Sequence, residues 1–198
     1  MYRRPLLQRL DPPSVVVFRA LHLGDMLCAV PALRALRAAL PGAHIALVGL
    51  PWAQQFADRF RTCVDEFIAF PGHPLLPEQP VRQDALAHFY TSLCTRQFAL
   101  ALQLHGSGDV SNDVVSGFGA RAMAGFCRGG PVVRDRTVLF PYPDIGAEPE
   151  RLLSLMEQLG APSAGVHLEF PLSHEDEDEW RASGLGNSLV PGQFLCIH

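Results

Sequence analysis

The spacing of apolar and polar residues changes period repeatedly along the chain, and each change marks an element. "VVVFRA" (15–20) opens with a β-branched run of the kind buried on both faces of a parallel sheet. From residue 25 to 40 the period becomes helical: Leu27, Val30, Leu33, Leu36 and Leu40 share one side, while Arg34 and Arg37 lie where they can reach solvent. "PGAHIALVGL" then reads as a turn and a second strand, and Pro51 opens a short helix through about Phe60. "VDEFIAF" is a third strand, a helix runs from about Val81 to Arg96, and "FALALQL" is a fourth strand. The prolines of "PGHPLLPEQP" predict an irregular loop between the third strand and that helix. A short helix after "HGSGDVSND", strands at "RAMAGF" and "TVLFPYP", and a helix "EPERLLSLMEQLG" closed by Gly160 complete the series. Strands alternating with helices predict an α/β fold, a parallel sheet with helices on both faces.

The texture changes after Gly160. "APSAG" reads as a linker, "VHLEFPL" as a short strand and "SHEDEDEWRASG" as an acidic helix. Adjacent residues on a helix point in different directions, so Glu175 to Glu179 are expected to be a solvated face, not a cation site. "GQFLCIH" reads as a strand that stops at His198. Parallel strands are joined by crossovers, so the expectation is a unit over 1–161, then a linker and the first strand of a second unit over 162–198. On that reading the chain is the front part of a longer protein.

Composition narrows the function. An apolar fraction of 48% with 18% charged residues describes a packed globular chain. A net charge of −4 supplies no general attraction for nucleic acid. All 16 basic residues are arginine, which excludes a Schiff-base lysine, a P-loop lysine or a lysine general base within these residues. Cys28, Cys63, Cys94, Cys127 and Cys196 form no Cys-x-x-Cys pair, and free thiols in a reducing cytosol are the simplest account. The apolar runs are too short to span a bilayer, and "MYRRPLLQRL" lacks the apolar core of a secretion signal. Arg3, Arg4 and Arg9 suit at most a peripheral contact with anionic lipid.

Two loops carry candidate chemistry, each at the carboxyl end of a strand, where open α/β sheets place their sites. In "HLGDMLCA" a single carboxylate, Asp25, stands between Gly24 and the helix. It reads either as the N-cap, accepting a backbone N–H, or as a general base. The roles compete in part, because capping and the helix dipole favour the charged form and weaken a base. Pro31 leaves the carbonyl of Leu27 without its usual partner and should kink or loosen that turn. One glycine cannot make the dinucleotide-binding fingerprint, which disfavours a nicotinamide-dependent oxidoreductase.

In "LQLHGSGDVSND", Gly106 and Gly108 permit close backbone approach, and His105, Ser107, Ser111 and Asn112 offer hydrogen bonds suited to sugar or phosphate. The loop reads equally as an ordinary βα turn with Ser111 or Asp109 capping the next helix. The other histidines show neither the i, i+4 pairing nor the cysteine partners of a zinc site, so no metal is expected. No Gly-x-Ser-x-Gly elbow is present to support a hydrolase.

"FRALHLGDMLCAVPALRALRAALPGAHI", "LALQLHGSGDVSN", "EPERLLSLMEQLG" and "FLCIH", in that order, resemble the ADP-heptose:lipopolysaccharide heptosyltransferases, glycosyltransferase family 9. The resemblance implies GT-B architecture, two Rossmann-like domains facing across a cleft, of which this chain is the N-terminal, acceptor-binding one. It implies inverting, metal-independent transfer of a sugar, heptose in the core enzymes, from a nucleotide-diphosphate donor such as ADP-heptose to lipopolysaccharide or another glycan. No separate cofactor is implied. It makes Asp25 the base that takes the acceptor hydroxyl's proton, with Gly24 admitting the acceptor and His22, His105, Gly106, Ser107 and Asn112 as substrate contacts. The partners it implies are the nucleotide sugar and a glycan or glycolipid acceptor, in the cytoplasm or peripheral to the inner membrane. The donor-binding loop and lysine of the family would lie past His198, so the isolated chain is expected to transfer nothing. The "HGSG" loop and His22 are not diagnostic of the core enzymes, which leaves the acceptor open. The rival from another class is a non-catalytic Rossmann-like module that binds a glycan or a protein partner.

Overall fold

The computed structural model describes residues 5–10, 14–134, 136–163, 165–190 and 192–195. Seven strands form one sheet in the order β3-β2-β1-β4-β5-β7-β6. These are β1 (Ser14–Phe18), β2 (His44–Gly49), β3 (Glu66–Ala69), β4 (Leu100–Gln103), β5 (Met123–Cys127), β6 (Val132–Arg134) and β7 (Thr137–Pro141). All neighbours are parallel except β6 and β7, whose antiparallel pairing closes one edge. The exposed "VVR" of β6 carried no alternating pattern, and only pairing with β7 makes it a strand.

Burial follows the period of two. In β1, Val15 and Val17 enter one apolar layer and Val16 and Phe18 the other, all four fully buried. The first layer packs under helices α1 (Leu23–Cys28), α2 (Val30–Ala39), α3 (Gln54–Arg59) and α6 (Glu148–Leu159). The second packs under α4 (Gln83–Arg96) and α5 (Ser111–Ser116), with Phe18, Phe70, Phe89 and Phe118 meeting edge to face. Helices therefore cover both faces, as the alternation predicted.

The single helix expected over 25–40 is two. α1 ends at Cys28, Ala29 forms the break, and Pro31 sits in the first turn of α2, where its missing N–H costs nothing. Gly160 closes α6 in the left-handed conformation, as its position predicts.

Past that point, "VHLEFPL" forms no strand; it runs as an exposed strap along α2 and α3. Arg34 binds Glu169 at 2.8 Å and the carbonyl of Gly165 at 3.0 Å. Arg59 stands 4.6 Å over the ring of Phe170. α7 (His174–Ser183) is the acidic helix, and one of its acids is not merely solvated: Asp176 accepts a two-pronged contact from Arg59, one arm at 2.9 Å. Of the strand expected at "GQFLCIH", residues 192–195 are irregular, and Cys196, Ile197 and His198 lie outside the described residues, as do Arg3 and Arg4. No described helix is long and apolar enough to cross a membrane.

Candidate active site at the β1/β4 switch point

The chain runs outward from β1 to β2 and β3, then returns to lay β4 against the other side of β1. Between β1 and β4 the winding reverses, so the loops leaving their carboxyl ends splay apart and leave a crevice. The two loops singled out in the sequence are these two. Phe18 pairs with Gln103 in the register, so His22–Asp25 and His105–Asn112 start from adjacent strand ends. The tertiary structure brings both groups of candidate residues to one edge.

His22, Leu23, Gly24 and Asp25 are all exposed. The cap position belongs to His22, whose side chain makes no capping bond, and Asp25 stands in the first turn of α1. This removes the N-cap alternative for Asp25. Its carboxylate accepts no hydrogen bond from the described residues, so it faces solvent unspent. A Cβ built on Gly24 would meet nothing within 4 Å, so the space beside Asp25 is open.

The β4 loop is locked from below. Gln103, buried in the strand, donates from its amide to the carbonyl of His105 at 2.5 Å and to the hydroxyl of Ser111 at 2.6 Å. The N–H of Phe126 donates back to the Gln103 amide oxygen at 3.2 Å. Ser111 is buried in that network and caps nothing; Val110 holds the cap position of α5, without a side-chain bond. Asp109 does not cap either: it takes Ser107 at 3.0 Å and Arg128 at 2.6 Å, and the Arg128 contact holds its carboxyl below the usual range. Asn112 donates to the carbonyl of Phe126 at 2.9 Å. Gly106 faces open space at φ +62°, whereas at Gly108 a Cβ would fall 2.2 Å from the carbonyl oxygen of Phe126. His105, Gly106, Ser107 and Leu76 border a cleft of about 180 Å³.

His105 is almost fully buried, stacked on Phe18 at 5.2 Å. Its Nδ1 accepts the N–H of Ala20 at 3.3 Å, so Nε2 carries the proton and points at Glu78, 3.5 Å away. Burial pushes the imidazole down from its ordinary range; Glu78 opposes that push and Arg19 adds to it. Both ring nitrogens thus face protein groups. Glu78 comes from the proline-rich loop, and its second carboxylate oxygen is buried without a partner among the described residues.

Three residues of this site were not singled out in the sequence: Glu78, Arg19 and Glu148. Arg19 is fully buried at the end of β1, where burial lowers its pKa while the charges of Glu148 and Asp25 oppose that shift. An arginine directly after "VVVF" was the available signal, since a buried guanidinium demands partners. Among the described residues no group of three or more histidine, cysteine, aspartate or glutamate side chains is placed to hold a metal ion.

No protein-family model matches the chain, and no curated protein sequence does. Solved structures do. A family 9 glycosyltransferase from Veillonella parvula DSM 2008 aligns over 92% of this chain and 51% of its own, with a TM-score of 0.68 at 19% identity. The fold is that of family 9 glycosyltransferases. E. coli heptosyltransferase WaaC, solved with ADP, aligns over 79% of this chain and 50% of its own, with a TM-score of 0.60 at 17% identity. The same enzyme solved with ADP-2-deoxy-2-fluoro heptose gives 0.57 at 15% identity, over 79% of this chain and 51% of its own. These neighbours are GT-B glycosyltransferases, and this chain spans about half the length of each.

Proposed function

We propose that these residues form the acceptor-binding half of an inverting, metal-independent GT-B glycosyltransferase, with Asp25 as general base. The observation that carries this reading is the Asp25 carboxylate itself: exposed, unspent on capping, and set at the switch point beside open space. In the reaction an acceptor hydroxyl attacks the anomeric carbon of the donor while its proton passes to Asp25. The bond from that carbon to the diphosphate breaks, and the nucleoside diphosphate leaves with the bonding pair. Helix N-termini and cationic side chains of the donor half can take up its charge. The WaaC structures with ADP and an ADP-heptose analogue support an adenosine-diphosphate heptose donor here. The loop at Gly106 and Ser107 supplies backbone and hydroxyl groups for a glycan or glycolipid acceptor, reached in the cytoplasm or at the inner membrane surface. On this reading residues 1–161 belong to the acceptor half, and 162–198 to the linker and the start of the donor half.

The test is Asp25→Asn in the full-length gene product, with transfer followed from nucleotide sugars to candidate acceptors. Loss of a general base predicts a fall in kcat of about 10²- to 10⁴-fold with acceptor affinity unchanged. Because the Asp25 side chain makes no hydrogen bond among the described residues, and the main-chain bond from Arg19 is kept in the variant, the thermal midpoint should shift little. Unchanged turnover would remove Asp25 from the mechanism, and sugar transfer by the 198 residues alone would refute the division into halves.

A further inference from the structure

The turn that bears Asp25 is held by its own helix at Met26, whose N–H bonds the carbonyl of His22 at 3.0 Å, but not at the carbonyl of Asp25. In an uninterrupted helix the carbonyl of Asp25 would accept the N–H of Ala29, four residues on. The chain breaks at Ala29, whose N–H bonds Met26 instead, at 3.0 Å. The carbonyl of Asp25 takes its hydrogen bond from elsewhere: the Nε of Arg19 donates to it at 2.8 Å.

Arg19 is fully buried, and each edge of its guanidinium is engaged. One terminal nitrogen donates to the carbonyl of Leu104, at the end of β4, and both face Glu148 Oε1 at 3.4 Å. The other oxygen of Glu148 accepts from the hydroxyl of Tyr142 at 3.0 Å and lies 3.5 Å from Arg151. A planar fork gripped on three sides cannot rotate, and whatever it holds inherits that rigidity. Four parts of the fold therefore meet on one side chain: the ends of β1 and β4, the Asp25 turn and the first turn of α6.

We infer that Arg19 and Glu148 are positioning residues for the reaction proposed above, setting the orientation of the Asp25 turn over the crevice from within the fold. This inference rests on Asp25 being the base. Neither side chain needs to touch substrate. Their contribution is geometric, and a displacement of about 1 Å at a reacting group can cost about 10²-fold in rate.

Two measurements test it. In the full-length product, Glu148→Ala should lower kcat by about 10- to 100-fold with both KM values within about twofold of the parent. Glu148→Gln, which keeps the shape and an acceptor oxygen, should recover most of that loss. A melting midpoint that falls while kcat per folded enzyme stays at the parental value would overturn the positioning role. In the 198-residue chain, hydrogen exchange gives a readout independent of transfer. Amides of 24–29 should exchange at least about tenfold faster in Glu148→Ala, and in Glu148→Gln should stay near the parent, while β1 and β4 keep their protection. Equal protection of 24–29 in the alanine variant, or equal loss throughout the domain, overturns the inference. If the parent transfers nothing, or Asp25→Asn transfers at the parental rate, the base assignment fails, and the exchange result alone then decides whether the pair holds the turn.

Discussion

A carboxylate at the start of a helix has two uses, and backbone position separates them. At Asp25 the cap is one turn's edge away, at His22, so the side chain is left facing solvent while the main chain is anchored through Arg19. Gly108 shows the opposite economy, a residue chosen for what cannot be there. Its φ of +90° and the carbonyl oxygen of Phe126, which an added Cβ would overlap, leave no room for a side chain. Gly108→Ala should destabilise the chain by about 2 kcal/mol or more, read from urea unfolding, and should loosen the Ser107–Asn112 loop. The residue types at 22–25 and 105–112 were legible as polar groups at strand ends. Which were spent on the fold was not, because hydrogen-bond partners such as Phe126 for Asn112 come from another strand.

At the scale of elements, the hydrophobic periods placed most strands and helices, since burial on two layers demands those periods whatever the loops do. They failed where local chemistry is silent. β6 exists by pairing alone, the chain breaks between α1 and α2 just before Pro31, and "VHLEFPL" alternates like a strand yet has no described strand beside it. Its strap and the acidic helix behind it are held by side chains, chiefly Arg59 on Asp176. That contact holds the Asp176 carboxyl far below its ordinary range, with the Ser173 bonds adding to it. A depressed carboxylate keeps its partner at every pH above its ordinary range and loses it only in strong acid. The clasp should therefore survive mild acid but weaken with salt, because it is partly exposed. Arg59→Ala, or high salt with the parent, should speed Glu-C cleavage at Glu175 to Glu179 several-fold without shifting the unfolding midpoint of the sheet.

For the whole molecule, strand order matters most. The reversal between β1 and β4 makes the crevice, and it also buries His105 in the neutral form between Ala20 and Glu78. A histidine whose folded pKa is depressed leaves stability intact above its unfolded value and removes it as pH falls below that value, because only the unfolded chain gains the proton. Unfolding free energy should therefore fall as pH drops through about 6.5, the unfolded value, read from urea unfolding at neutral and mildly acidic pH. His105→Asn, which keeps an acceptor for the Ala20 N–H, should be less stable at neutral pH and should flatten that slope.

Read alone, the residues determined the fold class, the two strand-end loops and the absence of lysine chemistry within these residues. These follow from periodicity and composition, which are local or additive quantities. Only the tertiary structure decided that the two loops share one crevice, that the Asp25 side chain is unspent, and that Arg19, which bonds the Asp25 turn, is itself paired with Glu148 far along the chain. Those depend on which strand lies beside which, and on partners distant in sequence, and no spacing along the chain encodes them.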